Sequence, residues 1–253
     1  MSKNANIKFC SRSHLGKVRS NNEDFLQIRQ IRQIRQDRLI AAIADGIGGD
    51  DFGEVASQIA VDACVEYLSN ADIKALNQKP AQEMSNSVKY ANEAIIAIQR
   101  NEKKYQNMGS TLSCFWITSN QLYFSWVGDS RIYLVRPSAN RITMLTKDHT
   151  LDQSKIDANL APDLYRRAPS ILTQKVGSIL LLKPDTGSVE LEHNDIVLAC
   201  TDGLSDRIKD ELMLEYAINL EGNLEAYADA LLDRALDCGG QDNISFILAQ
   251  VKP

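Results

Sequence analysis

The sequence predicts an α+β fold built on antiparallel strands, and three observations carry that expectation. Short runs of apolar, β-branched and aromatic residues recur between polar gaps that hold glycine or proline. From Val55 to Ile98 the apolar residues instead return every three or four positions, the period of a helix packed on one face. From Gly109 to Leu145 successive runs are separated only by turn-sized gaps, as in an antiparallel meander. At 253 residues the chain is long enough for one large core, and nothing in it forces a second domain.

Taken in order, Ile7 to Ser13 reads as a first short strand. A polar segment, Ser13 to Asp24, follows with Gly16, Arg19 and the adjacent acids Glu23 and Asp24. Ile-Arg-Gln then occurs three times from Ile28 to Gln36. A period of three fits neither an alternating strand nor one helical face, so this stretch reads as a lengthened hairpin bearing a small tandem duplication. Its arginines, Arg29, Arg32, Arg35 and Arg38, form either a solvated tip or a docking site for an acidic partner. Leu39 to Ala44 is a buried strand, stopped by Asp45 and the glycines Gly46, Gly48 and Gly49.

Val55 to Leu68 is an amphipathic helix, and a second follows a linker containing Pro80, with Met84, Val88, Ala91, Ile95 and Ile98 on its apolar stripe. Strands are expected at Thr111 to Thr118, Leu122 to Val127, Arg131 to Arg136 and Arg141 to Leu145. Residues Lys147 to Gln174 lack strong periodicity and read as a surface excursion with a short helix near Leu151 to Leu160. Strands resume around Ser188 to Leu191 and at Asp195 to Gly203. Helices at Lys209 to Asn219 and Leu224 to Asp237 precede a last strand within Gly239 to Val251.

Composition narrows the function. With 28 basic against 33 acidic side chains, the net charge of -5 argues against nucleic acid as a partner. No apolar run approaches the ~20 residues of a membrane span, and the N-terminus lacks the apolar core of a secretory signal, so a cytoplasmic location is expected. Cys10, Cys64, Cys114, Cys200 and Cys238 are scattered singly and read as reduced thiols. With His14, His149 and His193 as the full histidine complement, a histidine-rich zinc site is not expected.

The acids carry the chemistry. Asp45 follows one strand, Asp129 another and Asp202 a third, while Asp242 precedes the last strand and Glu23 with Asp24 precede the second. Carboxylates at buried strand ends are costly unless paired, and few basic residues accompany them. Divalent cations are the economical partner, and several carboxylates around Asp45 suit two ions bridged by that residue. Such a pair activates a bridging water and clamps a phosphoryl group, while Arg19 offers the planar fork suited to a phosphate dianion.

Seven segments carry a family resemblance: GKVRSNNED (Gly16 to Asp24), ADGIGG (Ala44 to Gly49), MGSTL (Met108 to Leu112), VGDSRIYLVR (Val127 to Arg136), LTKDHT (Leu145 to Thr150), TDGLSD (Thr201 to Asp206) and DNISF (Asp242 to Phe246). In this order the chain resembles the metal-dependent protein phosphatases of the 2C type, above all the compact bacterial members. The resemblance implies a four-layer α-β-β-α sandwich with two central antiparallel sheets. It also implies one catalytic domain over 1–253 with a flap at 147–174, and hydrolysis of phosphoserine and phosphothreonine in proteins with Mn2+ or Mg2+. By position, Asp45 would bridge both ions and Gly46 would offer its carbonyl to one. Asp202 and Asp242 would bind the other, Glu23 and Asp24 would bind directly or through water, and Arg19 would hold the phosphate. Asp129 would contribute to a third, weaker metal site. Implied partners are phosphorylated proteins and a cognate serine/threonine kinase, with the enzyme a monomer.

Three positions depart from the family pattern. His14 stands where many bacterial members have an Asp before the Leu-Gly step, which leaves open the contact that carboxylate would make. Ile47 occupies the place where some members carry a histidine proposed as general acid, so the leaving group must be protonated otherwise. The Ile-Arg-Gln repeat has no counterpart in the pattern; its tip, near Gln33 or Ile34, is expected to point away from Glu23 and Asp45 and to serve docking or nothing. A second reading, a catalytically silent phosphatase-like scaffold, would show missing metal ligands, whereas Asp45, Asp202 and Asp242 are all present. A third keeps the chemistry but takes a small phosphorylated metabolite.

Overall fold

The computed structural model describes residues 6–32, 37–47, 52–118, 120–155, 160–220 and 222–252. The N-terminal half runs β1 (Asn6–His14), β2 (Asp24–Ile31), β3 (Arg38–Ile47), α1 (Gly53–Asn70), α2 (Ile73–Gln78) and α3 (Pro80–Asn101). Strands β4 (Gly109–Ser110), β5 (Leu112–Thr118), β6 (Gln121–Val127), β7 (Arg131–Arg136) and β8 (Arg141–Met144) follow. The rest is α4 (Pro162–Arg167), β9 (Asp185–Glu190), β10 (Ile196–Cys200), α5 (Asp202–Ser205), α6 (Asp210–Asn219), α7 (Leu224–Asp237) and β11 (Ile244–Lys252).

Two antiparallel sheets result, one in the order β1-β11-β10-β7-β8 and the other β2-β3-β5-β6-β9, with β4 paired to β3. Three buried clusters mark the interfaces between four layers. Ile40, Ala42 and Ala44 of β3 face Ala56, Ala60 and Cys64 of α1 and Val88 and Ile95 of α3. Leu39, Ala41 and Ile43, the alternate residues of the same strand, face Ile247 and Ala249 of β11 and Val197 of β10 in the other sheet. Tyr133, Leu198 and Phe246 then cover Met213 of α6 and Leu231 of α7. Because β3 is buried on both faces, its apolar run is continuous instead of alternating, although the side chains still alternate between layers. Cys10, Cys64, Cys114 and Cys200 are buried free thiols, and Cys238 is half-buried and free.

The structure alters three expectations. The four strands from Thr111 to Leu145 do not form one meander: β5 and β6 pair in one sheet, β7 and β8 in the other. The chain changes sheet at Gly128 to Ser130, where Gly128 takes φ +97° and a Cβ would stand 2.6 Å from Thr111 Cγ2. A crossing of this length is indistinguishable from a hairpin turn in the sequence. Of the helix expected near Leu151 to Leu160, the described residues hold a single turn at Gln153–Lys155, and α4 starts at Pro162, where proline fits the first helical position. Pro80 does not lie in the linker but opens α3, and the linker before it is itself helical, as α2, capped by the Asp72 side chain, which accepts from Lys74 N–H at 3.0 Å.

The β2–β3 ladder pairs Asp24 with Asp45 at one end and Ile31 with Arg38 at the other. Acids and basic hairpin therefore occupy opposite ends of one ribbon. The tip itself, with Arg35, Gln33 and Ile34, lies outside the described residues.

Candidate active site

The acid-bearing ends of the two sheets meet in a pocket of about 440 Å³. Arg19, Glu23, Asp45, Gly46, Asp129, Asp202 and Asp242 all line it. Asp24 does not; it lies buried beside the pocket, opposite Asp45 in the ladder, with its Oδ2 accepting from Thr201 Oγ1 at 2.9 Å. Ile47, Thr111, Ser170, Leu172 and Lys175 complete the wall.

The strand expected to stop at Asp45 runs on to Ile47, with Gly46 and Ile47 paired to Ser110 and Gly109 of β4, and backbone contacts fix Asp45 within it. Its N–H donates to Thr111 Oγ1 at 2.8 Å, and its carbonyl accepts from Thr111 N–H at 2.9 Å and Ser110 Oγ at 2.7 Å. Gly46 N–H donates to the Glu23 carbonyl at 3.0 Å, and Ser57 Oγ donates to the same carbonyl at 2.6 Å. Helix α1 comes so close that a Cβ on Gly46 would meet the Gly53 carbonyl oxygen at 2.1 Å. Phe52, ahead of α1, adopts a left-handed φ of 63°, uncommon for a non-glycine residue, with its ring edge-on to Tyr105 at 4.8 Å.

Asn243 ties the two sides together. Its Oδ1 accepts from Glu23 N–H at 2.8 Å, while its Nδ2 donates to the Leu15 and Asn21 carbonyls, both at 2.9 Å. The loop carrying Arg19 is held by the adjacent residues: Gly16, at φ +84°, donates its N–H to His14 Nδ1 at 2.9 Å. The imidazole thus accepts the local hydrogen bond that a short acidic side chain would otherwise take in such a turn. Thr111, Asn243 and Lys175 were not among the residues singled out from sequence. The first two act through backbone groups, which no side-chain pattern announces. Lys175 follows Lys147 to Gln174 and reaches the wall because that excursion folds back, with Thr150 bridged to Leu172 and Thr173 N–H donating to the His149 carbonyl at 2.7 Å.

The electrostatics are those of acids crowded with little compensation. Burial, then the charges of Asp24, Asp202 and Asp242, pushes Asp45 well above the usual carboxylate range. Burial raises Asp24 to about 7 against hydrogen bonds from Ser245 and Thr201, and raises Asp202 to about 7 with help from Asp129 and Asp242. Asp129 rises to about 6, through burial and then Asp148. Glu23 is raised by burial and restrained by Arg19. The Arg19 guanidinium binds Asp242, Nη2 to Oδ2 at 2.8 Å. Arg131 is committed to Asp148, at 2.7 Å. Among the described residues no three His, Cys, Asp or Glu side chains close on a common point as a ready-made cage; the carboxylates stand around the wall. Oxygen donors alone, buried and mutually repelling, form a set suited to hard divalent cations.

A stability prediction follows from these shifts. The folded chain holds protons on Asp24, Asp202 and Asp129 that the unfolded chain, near its ordinary 3.8, has already released. Between about pH 4 and 7 the native state binds more protons, so stability falls as pH rises. In chelating buffer the urea midpoint should be lower at pH 8 than at pH 5, by roughly 1–4 kcal/mol in unfolding free energy. A midpoint that rises across that interval would contradict the electrostatics.

Comparison with known proteins agrees with this geometry. The profile of the family described as Protein phosphatase 2C matches residues 11–239. The serine/threonine protein phosphatase PstP of Mycobacterium tuberculosis is 32% identical over 247 residues, covering 97% of this chain and 45% of PstP. The chain thus spans about half the length of that relative. Protein phosphatase PhpP of Streptococcus pneumoniae is 30% identical over 240 residues, 94% of each chain. A crystal structure of the PstP catalytic domain in complex with two manganese ions superposes with a TM-score of 0.78 at 30% identity, over 98% of this chain and 99% of that one. Matched along nearly its whole length by sequence and by fold, the chain belongs to the protein phosphatase 2C family.

Proposed function

We propose that the chain is a metal-dependent protein phosphatase acting on phosphoserine and phosphothreonine. The observation that carries the reading is the meeting of Asp45 from one sheet, with Asp24 buried opposite it, and Asp202 and Asp242 from the other beside Arg19. The donor set fits two Mn2+ or Mg2+ ions, which Asp45, the Gly46 carbonyl, Asp202 and Asp242 would hold, Asp45 being the ligand that would be shared. Glu23 and Asp24 would act directly or through water, and Asp129 would serve a third, weaker site. When bound, such a pair supplies a water of lowered pKa and a clamp for phosphoryl oxygens.

The chain's own residues do the rest. Arg19, its side chain 45% exposed, is free to swing between Asp242 and a substrate phosphate. Lys175 adds a second cation to the wall. Ile47 carries no proton, so the departing alkoxide takes one from water in the pocket. The segment 147–174 acts as a flap, contributing Ser170 and Leu172 to the rim. The reading extends to a cognate serine/threonine kinase, a monomeric state and a cytoplasmic location. Phosphoproteome comparison, size-exclusion chromatography and fractionation test these respectively.

The deciding experiment is release of nitrophenol from an aryl phosphate with and without added manganese. Turnover should require the metal, and Arg19→Gln should lower kcat/KM roughly 10- to 100-fold through loss of a charged bidentate contact. Metal-independent turnover would sink the mechanism. No turnover of either the aryl phosphate or a phosphothreonine peptide would move the chain to the silent-scaffold reading, which the complete acid set disfavours.

A further inference from the structure

A second concavity, of about 830 Å³, lies between the C-terminal end of α3 and the loop that leads to β9. Ile179 and Leu180 form one side of it and Arg100 and Lys103 the other, with Lys175 at its edge. Lys175 also lines the acid pocket, so the two cavities adjoin at that side chain.

The loop displays an unusual surface. Ile179, Leu180 and Leu181 are 83%, 77% and 83% exposed, three consecutive large apolar side chains in water. They are held out firmly. Buried Asn92 accepts from Gly177 N–H at 2.8 Å and Ser178 N–H at 3.2 Å, and its Nδ2 donates to the Ser178 carbonyl at 3.3 Å. Gln99 Nε2 donates to the Gly177 carbonyl at 2.9 Å, and Leu182, just beyond the exposed trio, is anchored in the core. The cations are also available. Among the described residues Arg100, Lys103 and Lys175 have no carboxylate partner, the neighbouring Glu102 being taken by Lys104 at 3.3 Å. Among the described residues no acid lines the groove.

We propose that this groove receives the segment of the phosphoprotein substrate flanking its phosphoresidue, and that the preferred segment carries apolar and acidic side chains. The proposal rests on the phosphatase reading of the adjoining pocket and adds a sequence preference to it. An apolar side chain would cover Ile179 and Leu180 while carboxylates meet Arg100 and Lys103, complementarity that both binds and selects. A preformed loop lowers the ordering cost of that contact. A basic, apolar loop also suits an anionic lipid surface. Adjacency to the acid pocket through the shared Lys175, and a concave lining that includes Gln99 and Gln106, favour a peptide.

The test uses the manganese-loaded full chain and two doubly substituted variants, Ile179→Ser with Leu180→Ser, and Arg100→Ser with Lys103→Ser. Three probes are compared: an aryl phosphate and two phosphothreonine peptides of equal length, one flanked by Leu, Asp and Glu, the other by Ser and Gly. Each variant should lose about tenfold in kcat/KM on the apolar-acidic peptide, chiefly through KM, and keep parental rates on the other two. Equal losses on all probes, or no loss on any, overturn the proposal. So does weakened sedimentation with phosphatidylglycerol vesicles at unchanged peptide turnover, which would assign the loop to a lipid surface. A parent protein that fails to turn over the aryl phosphate removes the phosphatase reading, and this inference falls with it.

Discussion

Asp45→Asn should lower manganese-dependent turnover of an aryl phosphate by about 10³-fold or more, the scale seen when a preorganised charge at the reaction centre is deleted. The substitution keeps the shape and removes the charge. It leaves intact the contacts that hold this end of β3, because Asp45 is tied to Thr111 and Ser110 through its own N–H and carbonyl. The fold should therefore survive, and in chelating buffer it should gain. Asp45 is raised by burial and by Asp24, Asp202, Asp242 and Asp129, so its ionised form is disfavoured in the native state. Replacing it relieves that repulsion above pH 7, where the parent suffers most. The expected pair of results is a dead enzyme with a higher metal-free Tm. A variant keeping a tenth of parental activity would refute the bridging role, and one with a lower metal-free Tm would refute the electrostatic account.

Gly46→Ala, one residue on, should fail for a steric reason. Its Cβ would stand 2.1 Å from the Gly53 carbonyl oxygen and 2.8 Å from that of Glu23. Both are backbone atoms, so no side-chain rotation relieves the clash; the start of α1 must move from the end of β3. A loss of at least about 3 kcal/mol is expected, with Tm falling roughly 6–12 °C and activity with it. Gly222→Ala is the control. Nothing stands within 4 Å of its Cβ and only its φ of +80° opposes the change, which should cost about 1 kcal/mol. Similar Tm values for the two variants would mean that the close approach of α1 is not a constraint.

These contrasts show what the sequence discloses. Asp45, Asp202 and Asp242 were legible because strand runs ending in acids are rare where nothing neutralises them. Helices α1, α3 and α7 were legible from their apolar stripes, whereas the layering came only with the family resemblance. The change of sheet at Gly128 was not, because β6 and β7 have the same alternation whether they pair or part. Nor was the role of His14, whose ring nitrogen accepts from Gly16 N–H, a contact defined by backbone geometry. Lys175 joined the wall only through a long excursion whose return path no local pattern encodes.

The meeting of two sheets at the pocket has a consequence for distant positions. Asp24 and Asp45 travel with one sheet, Asp202 and Asp242 with the other. A slide of one sheet past the other by a single residue's rise, about 3.3 Å, would scatter a constellation whose tolerance is nearer 0.5 Å. The close-packed middle layer of Phe115, Trp126, Ile132 and Ile247 prevents that shear. Side chains that never see a phosphate thereby act as the calipers of the site.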